Sequence, residues 1–270
     1  MLTPRDPSKA GWLYLRLRDS LSRLPIARML LTSSRIPVAR NLLLELDQTF
    51  LRLFTPDTLL RREFNRWAEM GLGESMERDH KWVAERTIPK MGIASGDRVL
   101  DLGCGDGWTC RLMAERLGRL GRVVGLDISD EMVHRARIKS RNLNNLTFLC
   151  GSAEHIPCGD EVFTKVLSIS AFYYFHDQET VLKELFRVVA PEGRLFLLTC
   201  IYKELPGWLS SVRGIRVPVQ VRSADEYKSI LQAAGWRDVR TEELLRGTEP
   251  AHNRGRHDRA LLISGLRSKQ

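Results

Sequence analysis

The sequence predicts an α/β, doubly wound fold, and three observations carry that reading. Val99, Leu100 and Leu102 form the apolar run of a fully buried parallel strand, broken at once by Gly103, Gly105 and Gly107. Leu112, Met113, Leu117 and Leu120 then fall on one helical stripe. Strand and helix patterns go on alternating, as helices covering both faces of a mostly parallel sheet require.

Taken in order, residues 1–72 read as a basic, amphipathic helical leader or lid. Leu13, Leu17, Leu21 and Leu24 share one helical face ended by Pro25, and Val38, Leu42, Leu46, Phe50 and Leu53 repeat the stripe after Pro37. Such stripes flanked by arginines either pack on a core or lie on an anionic membrane surface, so residues 1–54 are a candidate peripheral membrane contact. Thr55, Pro56 and Asp57 open a third helix carrying Leu59, Leu60, Phe64 and Trp67 and ending near Gly71. A domain over residues 73–270 follows, with a helix at 73–88 and a core at 90–200. Its strands are expected at 98–104, 122–128, 146–151, 163–170 and 194–202, and its helices at 108–119, 130–142 and 178–189. Pro191 to Gly193 reads as the turn stopping the third of these helices. A substrate-specific insertion is expected at 203–222. Ser223 and Glu226 then form a capping box for a helix reaching Ala234, and 239–245 and 260–266 are the last two strands.

A chain of 270 residues can bury one large core, and 43% hydrophobic with 28% charged residues is the composition of a soluble globular protein. The net charge of +9 sits at the ends, +4 over residues 1–60 and +5 over 210–270, around a neutral middle. No apolar run approaches the roughly 18 residues of a membrane span, and no compact secretory segment opens the chain. The five cysteines form no C-x-x-C pair, which suggests reduced thiols and a cytoplasmic setting. No metal-ligand cluster and no nucleic-acid recognition module is apparent.

A strand, a glycine turn and a helix N-terminus together make a nucleotide site, with free backbone N–H groups expected to face the ligand. The spacing here is G-x-G-x-G, not the dinucleotide G-x-G-x-x-G, and Trp108 stands where the third glycine would be. Asp101, two residues before the first glycine, would repel a pyrophosphate but favour a cationic ligand. Asp127 ends the second strand about twenty residues past the loop, where such folds hold ribose hydroxyls. The loop therefore suits a cationic amino-acid nucleoside. Cys104 reads as a small residue filling the loop and not as a nucleophile.

Asp101-x-Gly103-x-Gly105 with Asp127 resembles the class I S-adenosylmethionine-dependent methyltransferases. The likeness continues through Gly151 to Pro157, Phe163 to Ser170 and Leu182 to Leu197, and is greatest to the branch of quinone-biosynthesis and small-molecule enzymes. The resemblance implies a Rossmann-like seven-stranded sheet with an antiparallel last strand, and S-adenosylmethionine as cofactor. It also implies methyl transfer by in-line displacement to a small-molecule or lipid-like acceptor. It assigns Asp101, Gly103 and Gly105, with Cys104 between them, to the methionine end and Asp127 to the ribose. Ile128 and Ser129 are assigned to the adenosine, Ser152 and Ala153 to the adenine edge, and Ser170 to the methionine portion. Position 152 is usually aspartate in this branch; a serine hydroxyl accepts a hydrogen bond there without charge assistance.

Tyr173, Tyr174 and His176 are candidates to orient or deprotonate a substrate hydroxyl, against a reading as loop packing with a solvated histidine. Phe64, Trp67 and Trp82 are candidates to line the site, with core packing as the alternative. Arg213, Arg216 and Arg222 either receive an anionic group or are solvated. The absence of an Asn/Asp-Pro-Pro-Tyr tetrapeptide argues against adenine or glutamine amino groups as acceptors. An RNA methyltransferase using the basic ends and a non-catalytic S-adenosylmethionine-binding scaffold are the alternative functions. Nothing in the sequence sets the acceptor atom or the oligomeric state.

Overall fold

The computed structural model describes residues 57–212, 215–247 and 258–268; the two leader helices expected before Thr55, that helix cap itself and Arg213 lie outside the described residues. Seven strands form one sheet in the order β3-β2-β1-β4-β5-β7-β6. They are β1 (Arg98–Leu102), β2 (Arg122–Asp127), β3 (Leu146–Cys150), β4 (Phe163–Ile169), β5 (Val189–Thr199), β6 (Trp236–Leu245) and β7 (Arg259–Arg267). Strands β1 to β5 pair in parallel, and β7 runs antiparallel between β5 and β6. The helices are α1 (Asp57–Glu69), α2 (Leu72–Lys90), α3 (Trp108–Leu117), α4 (Asp130–Lys139), α5 (Gln178–Val188), α6 (Trp208–Ser211) and α7 (Ala224–Ala233).

Alternation along each strand divides the core into two layers. Val99, Val123 and Leu198 pack with Met113, Val133 and Ile88 on one face; Leu100, Leu102, Val166 and Leu197 pack with Leu182, Leu185 and Leu231 on the other. The core strands are thus buried on both sides, which is why they read as apolar runs. A third, smaller layer of Leu60, Tyr173, Tyr174, Ile201, Val212, Val217 and Val219 joins α1 to the 203–222 insertion. No helix among the described residues is long and apolar enough to cross a membrane.

Local signals cap the helices. Ser223 and Glu226 form a reciprocal capping box on α7, and the Ser129 and Asp177 side chains cap α4 and α5. The largest boundary difference is in β5, with smaller ones in α4, which ends at Lys139, and β6, which begins at Trp236. Val189 already pairs with Phe163, so β5 begins five residues before Arg194, and Pro191 to Gly193 forms an irregularity within the ladder instead of the turn before it. Glu192 adopts φ 65° there, and a Cβ on Gly193 would lie 2.4 Å from Val189 Cγ1. The short helix α6 and a 3-10 turn at Phe172–Tyr174 have no counterpart in the sequence pattern.

Candidate active site

At the carboxyl ends of the strands, where the order reverses between β1 and β4, lies a cavity of about 480 Å³. Its floor is the glycine loop, and α1 and α2 cover it with Asp57, Leu60, Phe64, Trp67, Met76 and His80.

The loop is held from beneath by its own hydrogen bonds. Gly103 and Cys104 donate their N–H groups to Leu126 O at 2.8 and 3.1 Å, Gly105 donates to Asp127 Oδ2 at 2.8 Å, and Gly107 donates to Cys104 O at 3.0 Å. These four N–H groups of the loop are therefore consumed within the protein. Gly107 takes over the close-packing role of a third glycine: its Cβ would lie 2.6 Å from Phe148 Cζ. Trp108 is buried beside it and lines the cavity.

Asp127 is the hub of this arrangement. Its second oxygen, Oδ1, accepts from Ser129 N at 2.9 Å, so one carboxylate ties the glycine loop to the start of α4. Burial pushes its pKa up, and the N–H groups of Ser129 and Gly105 oppose that rise. Gly103, Cys104, Gly105, Asp127, Ile128, Ser152, Ala153 and Ser170 all line the cavity. A hydrogen bond with Cys110 favours the Cys104 thiolate, but burial and the Asp127 and Asp101 carboxylates outweigh it and push the thiol up to about 11.

Two of the assigned residues lie off the cavity wall. Asp101 is 1% exposed and does not line the cavity. The two-residue period of β1 turns it to the face of Val99, under α3, where it accepts from Thr109 Oγ1 and from Cys110 Sγ at 3.1 Å. Ser129 is fully buried and also absent from the cavity wall; its hydroxyl accepts from Met132 N at 3.0 Å and donates to Asn65 Oδ1 at 2.6 Å. It joins α1 to α4 and does not face a ligand. Trp82 is likewise core packing, while Phe64 and Trp67 reach the cavity.

Burial pushes the Asp101 carboxyl up to about 6, against the hydrogen bonds from Thr109 and Cys110. A carboxyl whose pKa is higher in the folded than in the unfolded state removes stability as pH rises through that window. Asp101→Asn, which keeps an acceptor for Thr109, is expected to be more stable than the wild type at pH 8 by about 2–3 kcal/mol and equal to it at pH 4. Chemical denaturation across that range checks this, and parallel pH profiles for the two proteins would refute it.

The acceptor end of the cavity is aromatic. Phe64, Trp67 and Tyr174 meet edge to face with centroids 5.1 to 6.3 Å apart, and Tyr173 lies 4.5 Å from Tyr174. Burial pushes Tyr174 up to about 12 and Tyr173 well above the ordinary phenol value, so both stay protonated. A protonated phenol offers a hydrogen-bond donor and is not a base. His176 lines the exposed rim. Arg222 does not face a ligand as expected: its Nε donates to the buried Gln178 Oε1 at 2.5 Å.

Sequence reasoning missed Asp106 and His80. Asp106 is 2% exposed; Oδ2 meets Lys139 Nζ at 2.6 Å, and Oδ1 has no hydrogen-bond partner. His80 Nδ1 donates to Met76 O at 2.9 Å, which fixes the tautomer. Gly73, Met76 and His80 share one face of α2, a spacing visible in the sequence. What that face covers is set only by tertiary packing.

A methyltransferase-domain model matches residues 100–197, the span from β1 through most of β5. The demethylmenaquinone methyltransferase of Lactococcus lactis is 33% identical over 184 residues, covering 64% of this chain and 72% of that protein. The chain belongs to the class I S-adenosylmethionine-dependent methyltransferases. The methyltransferase of the same name from Listeria welshimeri is 35% identical over 130 residues. Against that relative and its Listeria counterparts the chain spans about half of their length, 54–55%. Among solved structures, the complex of the Haloferax volcanii Trm112 methyltransferase activator with a putative methyltransferase aligns with TM-score 0.68 at 29% identity, covering 77% of this methyltransferase and 98% of that chain. A further S-adenosylmethionine-dependent methyltransferase, from Aquifex aeolicus, shares the fold with TM-score 0.57 at 22% identity.

The family's cofactor, S-adenosylmethionine, fits the wall that this methyltransferase presents. Asp106 Oδ1 is buried there without a hydrogen-bond partner, the acceptor that a cationic amino-acid end requires. Ser170 holds φ 52°, a left-handed backbone rare for serine that kinks the chain at the end of β4. The Cβ direction of Gly105 is open space, leaving the loop approachable.

Proposed function

We propose that this methyltransferase moves a methyl group from S-adenosylmethionine to a small hydroxyaromatic acceptor of the quinol type that carries an apolar tail. The observation that carries this reading is the aromatic end of the cavity, where Leu60, Phe64, Trp67, Ile201 and Ile215 line the wall and cluster with Tyr173 and Tyr174. It combines a flat apolar slot with neutral donors, which suits an uncharged ring bearing oxygen. The relatives' names, demethylmenaquinone methyltransferase, support the same acceptor class.

The cofactor supplies an already activated methyl group, so the protein's work is position and dryness. Asp127 holds the ribose hydroxyls, while Asp106 and Ser170 receive the amino-acid end. Gly103 and Gly105 let the nucleoside approach the loop. Tyr173 and Tyr174 donate to the acceptor oxygen and orient its ring, an effect worth up to roughly 7–11 kcal/mol when the geometry is near attack. His80 and His176 are the wall imidazoles with the chemistry to take the acceptor's proton. The basic leader, residues 1–54, is assigned to the anionic membrane surface in which such an acceptor dissolves.

The test presents a reduced demethylnaphthoquinone with a short prenyl tail in anionic vesicles, together with S-adenosylmethionine, and follows the methylated ring by mass. Transfer that weakens in neutral vesicles is expected. Tyr174→Phe and Trp67→Ala are expected to raise KM for the acceptor about tenfold while leaving S-adenosylhomocysteine binding intact. Tight S-adenosylhomocysteine binding without any transfer would overturn the acceptor assignment and leave the donor site standing.

A further inference from the structure

We propose that Glu154, and not the residue at position 152, reads the 6-amino group of the bound adenine. The inference rests on the donor reading above. Gly151 donates its N–H to Asp127 O at 2.9 Å, which places the segment after β3 beside the ribose hub. Ser152 to His155 then forms a tight turn, closed by His155 N donating to Ser152 O at 3.3 Å. Within that turn the Ser152 hydroxyl accepts from Glu154 N at 3.3 Å, so the side chain at position 152 is folded back onto its own backbone.

Glu154 lines the cavity two residues further on. Its Oε1 accepts from Asp177 N at 3.0 Å, a contact that bridges the segment after β3 to the N-terminus of α5 and fixes the carboxylate in place. Its side chain enters no salt bridge among the described residues. A half-buried carboxylate on the wall of a nucleoside cavity, clamped through one oxygen, leaves the other to accept a hydrogen bond from an amino group. Glutamate is one methylene longer than the aspartate usual at 152 in this branch, and Glu154 starts from a different point of the same turn. The same clamp gives Asp177 a role beyond its own helix cap, because it holds the reading group still.

The experiment titrates S-adenosylhomocysteine and its 6-oxo counterpart, S-inosylhomocysteine, into the full chain by calorimetry. The 6-oxo compound replaces the donor with an acceptor and leaves the rest of the ligand unchanged. The wild type is expected to prefer the amino compound by roughly tenfold to a hundredfold, the range of a charge-assisted hydrogen bond. Glu154→Ala is expected to bring the two affinities to near parity. Glu154→Gln keeps an acceptor for Asp177 N and so guards against loss of the fold; its amide N–H can serve the 6-oxo group, so it is expected to shrink or reverse the preference. Retention of the full preference in both variants, or no preference in the wild type, overturns the role of Glu154 alone. Failure of the wild type to bind either compound overturns the donor reading together with it.

Discussion

Gly103→Ala is expected to abolish S-adenosylhomocysteine binding and to lower the melting temperature, whereas Gly105→Ala keeps the fold and only weakens binding. The two positions look alike in the sequence, but their surroundings differ. Gly103 has φ +74°, and a Cβ there would lie 2.4 Å from Ala171 Cβ, a separation that side-chain carbons do not adopt. Ala171 follows Ser170, itself held at φ 52°, so a forced shift moves the kink that ends β4 and the Ser170 hydroxyl with it. The left-handed backbone and the overpacking together cost about 2–5 kcal/mol. For a domain of this size that lowers the melting temperature by roughly 5–15 °C. Gly105 has φ +53° with no atom within 4 Å of its Cβ position, so alanine there adds only the backbone strain of about 1 kcal/mol. Calorimetric titration and thermal melting of both variants check this. Wild-type affinity in a folded Gly103→Ala protein would remove the loop from the site. Gly103→Val meets the same Ala171, just beyond β4, so its harm comes from displacing that residue and not from occupying the nucleoside's space.

The sheet was legible because its core strands are buried on both faces and so announce themselves as apolar runs between glycine and proline stops. The capping box at Ser223 was equally local, since it needs only side chains and N–H groups three residues apart; the caps at Ser129 and Asp177 obey the same rule but were not read. The site was harder to read wherever a residue's role depends on what packs against it. Asp101 sits in the motif, but strand parity points it at α3, and the motif's sequence carries no sign of which helix covers that face. Ser129 was credited to the nucleoside because it follows Ile128, yet Asn65, 64 residues earlier, is what its hydroxyl meets. For Asp106 and His80 the local pattern does not say what they face. Each becomes a cavity residue only when α2 lies across the loop, with Gly73 so close that a Cβ would be 3.1 Å from Asp106 Oδ2. Pro191 to Gly193 shows the reverse case: a sound turn signal absorbed into the β4–β5 ladder because Val189 had already found Phe163.

Asp127→Ala is expected to cost both binding and stability, and its pH signature separates the two. The carboxylate accepts from Gly105 N and Ser129 N, at 2.8 and 2.9 Å, so alanine leaves two donors without partners as well as removing the ribose acceptor. Each orphaned donor costs about 1–3 kcal/mol, and losing a charged acceptor for the ribose weakens binding by roughly a hundredfold. Asp127→Asn preserves the shape, but its amide N–H₂ is turned at one of those two N–H groups, so an intermediate loss is expected. Burial has raised the Asp127 pKa, which makes the folded state hold this proton more tightly than the unfolded chain. Stability from this group therefore falls as pH rises through the shifted range, while affinity for the nucleoside rises as the carboxylate ionises. Burial raises the Asp101 carboxyl as well, so it shares the first trend, but it lies off the cavity wall and has no part in the second. Affinity measured from pH 4 to 8 is thus expected to climb in the wild type and in Asp101→Asn, and to stay flat in Asp127→Asn. A climb of equal size in Asp127→Asn would assign the ribose contact to another residue.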